Sequence, residues 1–466
     1  MNDLQKYFPF TLNSGQQKTC DDLLSFLENH QYNVFILAGY AGTGKTTILK
    51  GILDYMKEND RKFELWASTG RAAKVLGTIT RRQTKTIHSA IYMLDENSSK
   101  LDEDNKTLSF KLKPNHDDEE TIYFIDEASM IADKAEKNPF LLFDDGRFLD
   151  HLFSYLGDRR VVFIGDAAQL PPINCSFSAA LDGGYLEKNY SKKCTSVLLT
   201  HVMRQQLECG ILWNATEIRK HNDALSQPPL AIKYSGFTDI RIKRNVWSAI
   251  DDFVLDLKKN GTGHAAFISF TNGGVHYLNS QIRNKFYGTK DPPLQIGDYL
   301  MVVQNNFLYE LVNGHHVEVI DFDPDPIRQN SLSFISVLIK VPETDKKINL
   351  KIILDLLYRK EPSLTVGEEH DLMKNFVIRM KQYGIKPKTD EFRKRFITDP
   401  YLNALRVKFG YAVTCHKAQG GEWPRVYINF EPMLDNIPRP SLYRWTYTAI
   451  TRASKQLVIP QHKYLY

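Results

Sequence analysis

The chain has few of the features that mark secreted, metal-bound or membrane proteins. Its 466 residues include only five cysteines, Cys20, Cys175, Cys194, Cys209 and Cys415, and no two of them form a C-x-x-C pair. Neither a zinc site nor a disulfide framework is therefore indicated, and reduced thiols in a cytosolic protein are the expectation. No apolar run approaches the roughly 18 residues a membrane span needs. Met1–Phe10 lacks the basic stretch and long apolar run of a signal peptide, so a cytoplasmic protein is expected. The surplus of one charge over the other is small as well: the formal net charge is +5, with 25% charged and 42% hydrophobic residues. Those fractions are ordinary for a folded soluble protein, and so mild a basic surplus is compatible with nucleic acid without arguing for it. The length implies several domains.

What is present is concentrated at the ends of short apolar runs. Val34-Phe35-Ile36-Leu37-Ala38 leads into Gly39-Tyr40-Ala41-Gly42-Thr43-Gly44-Lys45-Thr46, and a helix-prone stretch beginning at Thr47 follows. This is G-x-x-x-x-G-K-T in the strand–loop–helix context that a phosphate-binding loop requires. The glycines let successive N–H groups and the helix N-terminus face one anion. Gly42, Thr43, Gly44, Lys45, Thr46 and Thr47 are the positions expected around the phosphates, with Lys45 reaching the β- and γ-phosphates and Thr46 completing a Mg²⁺ shell.

Other segments repeat the style. Leu12-Asn13-Ser14-Gly15-Gln16 starts a helical pattern. Its glutamine amide suits the edge of adenine, although a glutamine at a helix start is otherwise merely solvated. Phe63–Ala67 runs into Ser68-Thr69-Gly70-Arg71-Ala72-Ala73-Lys74, either a phosphate-oxygen site or a helix cap with two solvated cations. Thr84-Lys85-Thr86-Ile87-His88-Ser89 has the same character. Residues 94–120 are polar apart from Leu108–Leu112 and read as a β-hairpin with its tip near Asn97–Asn105, or as a disordered loop. Thr121–Ile125 ends in Asp126-Glu127: a buried strand delivering two carboxylates, Asp126 for the metal's water shell and Glu127 to polarise an attacking water. Arg160–Ile164 leads to Gly165-Asp166-Ala167-Ala168-Gln169, where Gln169 is placed to sense a γ-phosphate. In an open α/β sheet such strand ends line one crevice.

The second half has no further phosphate loop. Ala265–Phe270 reads as a strand followed by a helix, and between 294 and 402 short β-like runs suggest a small β-barrel insertion. Its tail carries Lys374, Arg379, Lys381, Lys386, Lys388, Arg393, Lys394 and Arg395. That is either a solvated basic helix pair or a surface for a polyanion. The α/β texture then returns, and Val407–Val413 leads into Thr414-Cys415-His416-Lys417-Ala418-Gln419-Gly420-Gly421-Glu422-Trp423. Tyr447–Ala453 precedes a last strand. The predicted architecture is α/β with two lobes, the second interrupted.

The ordered series LNSGQ, GYAGTGKT, ASTGRAAK, TIHS, IDEASM, GDAAQLPP, VMRQ, AVTCHKAQGGEW and YTAITRA, spread from residue 12 to 453, resembles superfamily 1B helicases of the RecD-like and Dda-like branch. The resemblance implies two RecA-like parallel-sheet lobes: 1–203, with a β-hairpin insertion at about 90–120, and 204–293 with 403–466, interrupted by an SH3-like insertion at 294–402. It implies ATP and Mg²⁺ as cofactors, and motion 5′ to 3′ on single-stranded DNA with unwinding of forked duplex; a translocase without processive unwinding would carry the same motifs. A monomer is implied, with single-strand-binding, replication or recombination proteins as possible associates and no membrane partner. By residue, Gln16 resembles the adenine-reading glutamine, and Arg204 and Arg452 the arginines that reach the γ-phosphate from the second lobe. Thr69, Arg71, Thr86, His88, Thr414, His416 and Lys417 match DNA-contacting motifs, and Glu422 lies in a segment coupling nucleotide to DNA. Asn13 stands where threonine is usual and Cys415 where valine or isoleucine is common; neither removes a catalytic group.

Overall fold

Strands such as Val34–Gly39 and Val161–Gly165 are apolar along almost their whole length, which only a sheet covered on both faces tolerates. In the computed structural model, which describes residues 4–94, 108–134, 141–143, 147–201, 209–221, 228–306, 308–342, 344–387 and 389–466, they lie in a six-stranded parallel sheet. Its order is Lys85–Thr86, Phe63–Ala67, Ile122–Asp126, Val161–Gly165, Val34–Gly39, Cys194–Leu199. The register pairs Ala38 with Gly165 and Ala67 with Asp126, so the loops after these strands leave from one edge. Helices Ser14–Glu28 and Lys45–Glu58 bury Leu23, Phe26, Ile48 and Ile52 on one face of the sheet. Phe148–Leu156 buries Leu149 and Leu152 on the other.

A second parallel sheet has the order Ile240–Lys243, Ala453–Pro460, Trp423–Ile428, Ala265–Ser269, Ala412–Thr414. With helices around both sheets, the fold is the expected pair of RecA-like lobes. The antiparallel unit expected from the β-like runs is also there. Ile327–Gln329, Leu332–Val341, His316–Phe322, Tyr299–Val302 and Val407–Phe409 follow one another in a curled sheet, and Lys346–Ile353 pairs along Leu332–Val341. A β-bulge between Val319 and Asp321 accompanies the curl.

The run that begins at Val407 forms two strands. Val407–Phe409 pairs with Tyr299–Val302 in the antiparallel sheet, and Ala412–Thr414 pairs with Ala265–Ser269 in the parallel one. The chain changes sheets at Gly410, where a Cβ would stand 2.8 Å from His316 Cδ2 and 3.2 Å from the backbone of Leu300 and Met301. The antiparallel unit is fused to its lobe: Leu300, Val317 and Val337 share one apolar cluster with Phe267, Leu278 and Tyr427. Arg283, on the helix Asn272–Tyr287, forks onto the buried Asp298 (Nε to Oδ1 2.9 Å, Nη2 to Oδ2 2.8 Å) at the start of the unit. Two parallel N–H···O bonds on a desolvated pair fix orientation more firmly than they add stability.

In the first lobe Tyr92–Leu94 pairs antiparallel with Leu108–Leu112, the two arms of the expected hairpin; its tip near Asn97–Asn105 lies outside the described residues. A third strand, Leu141–Phe143, joins in parallel and has no counterpart in the sequence reading. The basic tail forms the helices Val366–Gln382 and Asp390–Thr398. Part of its charge is locally paired, Arg379 with Asp399 at 2.6 Å and Arg395 with Glu391 at 2.8 Å, while Lys374, Lys381, Lys386 and Lys394 are exposed; Lys388 lies outside the described residues.

Candidate nucleotide and nucleic-acid site

The phosphate loop leaves the sheet at Gly39 and closes at the start of the helix Lys45–Glu58. Gly44 stands at the helix N-cap with φ +90°, a left-handed conformation that glycine adopts at little cost, and a Cβ there would meet Gln16 Nε2 at 2.8 Å. Lys45 Nζ donates to the carbonyls of Gly39 (2.6 Å) and Tyr40 (3.1 Å), so its ammonium lies across the loop. Gln16 is not solvated. Its side chain is buried, Oε1 accepting from Asn13 N (3.2 Å) and Nε2 donating to Thr43 O (3.2 Å), so the amide joins the cap of one helix to the phosphate loop. A base would have to use the remaining amide hydrogen and lone pair.

Asp126 and Glu127 follow their strand at the same sheet edge. Glu127 adopts φ +52°, a left-handed conformation costly for a residue with a side chain. Ser68 Oγ holds its carbonyl at 2.8 Å, and its N–H donates to Asp126 Oδ1 at 2.9 Å. Burial first, then the neighbouring Glu127 charge, hold the Asp126 carboxyl well above the usual carboxylate range; the Glu127 N–H, and after it the Lys45 ammonium, pull it back. Glu127 Oε2 and Gln169 Oε1 are buried and have no hydrogen-bond partner among the described residues. Desolvated carboxylates and an orphaned amide oxygen beside a phosphate loop fit a hydrated divalent cation and a water nucleophile.

The second lobe reaches this site through groups that motif reading missed. Tyr447, on the helix Arg439–Ile450, accepts a hydrogen bond from Ala41 N–H (2.9 Å) in the phosphate loop and donates to Asp166 Oδ2 (2.6 Å). Thr448 Oγ1 accepts from Leu170 N (2.8 Å), and Gln419 Nε2 donates to Leu170 O (2.8 Å). The Arg219 guanidinium lies 3.7 Å from the centre of the Tyr40 ring. Tyr447 and Thr448 sit inside YTAITRA, so their neighbourhood was marked; nothing in the sequence pointed to Arg219. Arg452 is buried and held within its own lobe, donating to Thr448 O (3.1 Å), Gly421 O (3.2 Å) and Thr451 Oγ1 (3.2 Å). Arg204 lies outside the described residues.

Of the positions expected to meet nucleic acid, Thr69, Thr86 and Thr414 are all helix N-caps, their hydroxyls accepting from Ala72 N, Ser89 N and Lys417 N. Capping and phosphate binding are compatible, because a capped helix still directs free N–H groups outward. Arg71 is not a solvated cation: its guanidinium lies 3.7 Å from the ring centre of Trp423, across the seam between the lobes. His88 stacks on Phe148, ring centres 4.7 Å apart. Lys417 and Thr414 line a cleft with Asn272, His276, Lys360 and Lys408 at the junction with the antiparallel unit. Burial pushes Lys408 and Lys417 down to about 8, and burial lowers His416 too. Cations desolvated together in this way fit an anion.

Comparison with known proteins finds helicases among the similar chains. A family model described as "AAA domain" matches residues 11–227, and one described as "UvrD-like helicase C-terminal domain" matches residues 409–459. The chain is 24% identical to the RecBCD enzyme subunit RecD of Buchnera aphidicola subsp. Schizaphis graminum, over 92% of this chain and 70% of that one. It is 26% identical to the ATP-dependent RecD2 DNA helicase of Deinococcus radiodurans, over 44% of this chain and 24% of that one. The chain is similar to helicases of the RecD kind. An uncharacterized protein of Acanthamoeba polyphaga mimivirus is 22% identical over 96% of this chain and 99% of that one. Among solved structures, Bacteroides Pif1 bound to ssDNA covers 97% of the chain at 16% identity and a TM-score of 0.49. No helix among the described residues is long and apolar enough to cross a membrane.

Proposed function

We propose that this chain is an ATP-dependent DNA helicase that moves 5′ to 3′ along a single strand and opens forked duplex, acting as a cytoplasmic monomer. The observation that carries the reading is the contact of both lobes with one phosphate loop, through the Ala41–Tyr447 hydrogen bond. A site whose walls come from two lobes changes shape when a phosphate leaves it, and that change is what moves a strand lying across both.

In this reading residues 1–203 form the first lobe and 204–293 with 403–466 the second. Gly42–Thr47 cradle the triphosphate, Lys45 turns from the Gly39 and Tyr40 carbonyls to the β- and γ-phosphates, and Gln16 meets the base. A Mg²⁺ ion held at Thr46 and, through water, at Asp126 would supply charge to offset the phosphates. Glu127 orients and deprotonates the attacking water, for which its unpartnered Oε2 is suited, and Gln169 holds that water or a γ-oxygen. Arg204 and Arg452 meet the charge developing on the transferred group; Arg452 must exchange its Thr448 and Gly421 carbonyls for phosphate oxygens to do so. Thr69, Thr86, His88, Thr414, His416 and Lys417 grip strand phosphates, so binding is insensitive to sequence and weakens with salt.

Strand displacement from 5′-tailed and 3′-tailed duplexes tests activity and direction together. The expected outcome is ATP-dependent opening of the 5′-tailed substrate only. Opening of the 3′-tailed one would reverse the direction, and motion without displacement would make the chain a translocase.

A further inference from the structure

The hydroxyl of Tyr447 is the one second-lobe group hydrogen-bonded to a phosphate-loop N–H among the described residues, and it is fully committed. Its oxygen accepts the single hydrogen of Ala41 N–H at 2.9 Å, and its own hydrogen goes to Asp166 Oδ2 at 2.6 Å. Asp166 is itself anchored: buried, it accepts from Ala168 N at 3.0 Å through its other oxygen. One residue further along the helix, Thr448 ties Leu170 N at 2.8 Å, and its carbonyl holds Arg452 Nε at 3.1 Å. A continuous path therefore runs from a loop amide, through a phenol, to the Asp166 turn, and along one helix to the arginine at its end.

Resting on the nucleotide-hydrolysis reading above, we infer that Tyr447 is a positioning residue that latches the phosphate loop to the second lobe and competes with a phosphate oxygen for Ala41 N–H. A backbone amide has one hydrogen, so a phosphate oxygen that takes it must displace the phenol. Donation to a carboxylate makes the phenol oxygen a better acceptor, which gives the latch its strength. Once displaced, the phenol no longer registers the Arg439–Ile450 helix against the loop, and the segment carrying Arg452 is free to shift toward the triphosphate. The latch thus sets nucleotide affinity against lobe register: holding the loop weakens binding, and releasing it is what the second lobe reads.

Tyr447→Phe keeps the buried ring and removes both hydrogen bonds. Three quantities are measured: the affinity of a non-hydrolysable ATP analogue, and the KM and kcat of hydrolysis. The expected result is a split: analogue affinity rises and KM falls by about three- to tenfold, the range one net hydrogen bond commands, while kcat changes little, because the latch is already released once nucleotide is bound. Asp166→Asn, which weakens the phenol as an acceptor without deleting it, is expected to shift affinity the same way by less, and serves if the phenylalanine variant does not fold. Thr448→Val breaks a neighbouring inter-lobe bond without touching the loop and is expected to leave analogue affinity unchanged. Unchanged or weaker analogue binding by Tyr447→Phe overturns the latch, as does an equal gain in Thr448→Val, which would make the effect general loosening of the seam. Failure of the unsubstituted protein to bind the analogue at all would instead overturn the nucleotide reading.

Discussion

Lys408 and Lys417 carry the clearest chemical signal at the scale of single residues. An unperturbed lysine keeps its charge to about pH 10.4, whereas burial brings both of these down to about 8. The sign follows directly. An anion in the cleft favours the protonated form, so its binding is full below pH 8 and is lost as the pH rises through that value. Single-strand affinity measured from pH 7 to pH 9 at constant ionic strength is expected to fall several-fold, and Lys408→Met with Lys417→Met is expected to flatten the profile. A flat profile in the unsubstituted protein would mean that these ammonium groups meet no phosphate. Gln16 shows how far residue chemistry alone could be read: its amide suited two partners, and packing joined it to Asn13 and Thr43.

Among the elements, strands were legible and their sheet membership was not. Val34–Gly39, Ile122–Asp126 and Val161–Gly165 are apolar runs ending in loops that carry phosphate or carboxylate chemistry, and all three stand where that pattern implies. Val407–Val413 is apolar apart from Lys408 and Gly410, yet its halves pair with different sheets, because pairing depends on which edge lies within about 5 Å rather than on composition. Gly410 is the pivot. Gly410→Ala is expected to cost about 1–3 kcal/mol, the usual penalty of overpacking, since two of the atoms a Cβ would meet are backbone. A lower urea midpoint checks this, and an unchanged midpoint would mean the crossover has slack. Leu141–Phe143 was missed because three residues are too few for a periodic signal, and only pairing with Leu108–Leu112 makes them a strand.

Across the whole molecule, the proposed function makes the seam between the lobes the link between nucleotide and nucleic acid. Arg71 belongs to a segment expected to touch DNA, and it stacks on Trp423 of the opposite lobe at 3.7 Å. An arginine on an indole face in a partly desolvated seam holds by roughly 0.5–2 kcal/mol, enough to bias a two-state closure. Arg71→Met is expected to lower the ratio of strand-stimulated to basal ATPase several-fold while changing the salt dependence of strand binding little. The opposite pattern, a salt slope reduced by about one with stimulation intact, would make Arg71 an ordinary phosphate contact.

By itself the sequence determined the class of fold and marked the groups proposed to carry the chemistry. G-x-x-x-x-G-K-T needs its residues adjacent along the chain, and Asp126-Glu127 and Gly165–Gln169 each end an apolar run, so local order sufficed for the phosphate loop, the carboxylates, two α/β lobes and an antiparallel insertion. The tertiary structure alone decided which distant groups meet. Tyr447 lies 406 positions from Ala41, and Arg71 crosses the seam to Trp423. Such pairs are chosen by packing, steric room and the need of each buried donor for an acceptor, which act between elements and leave no periodic trace along the chain.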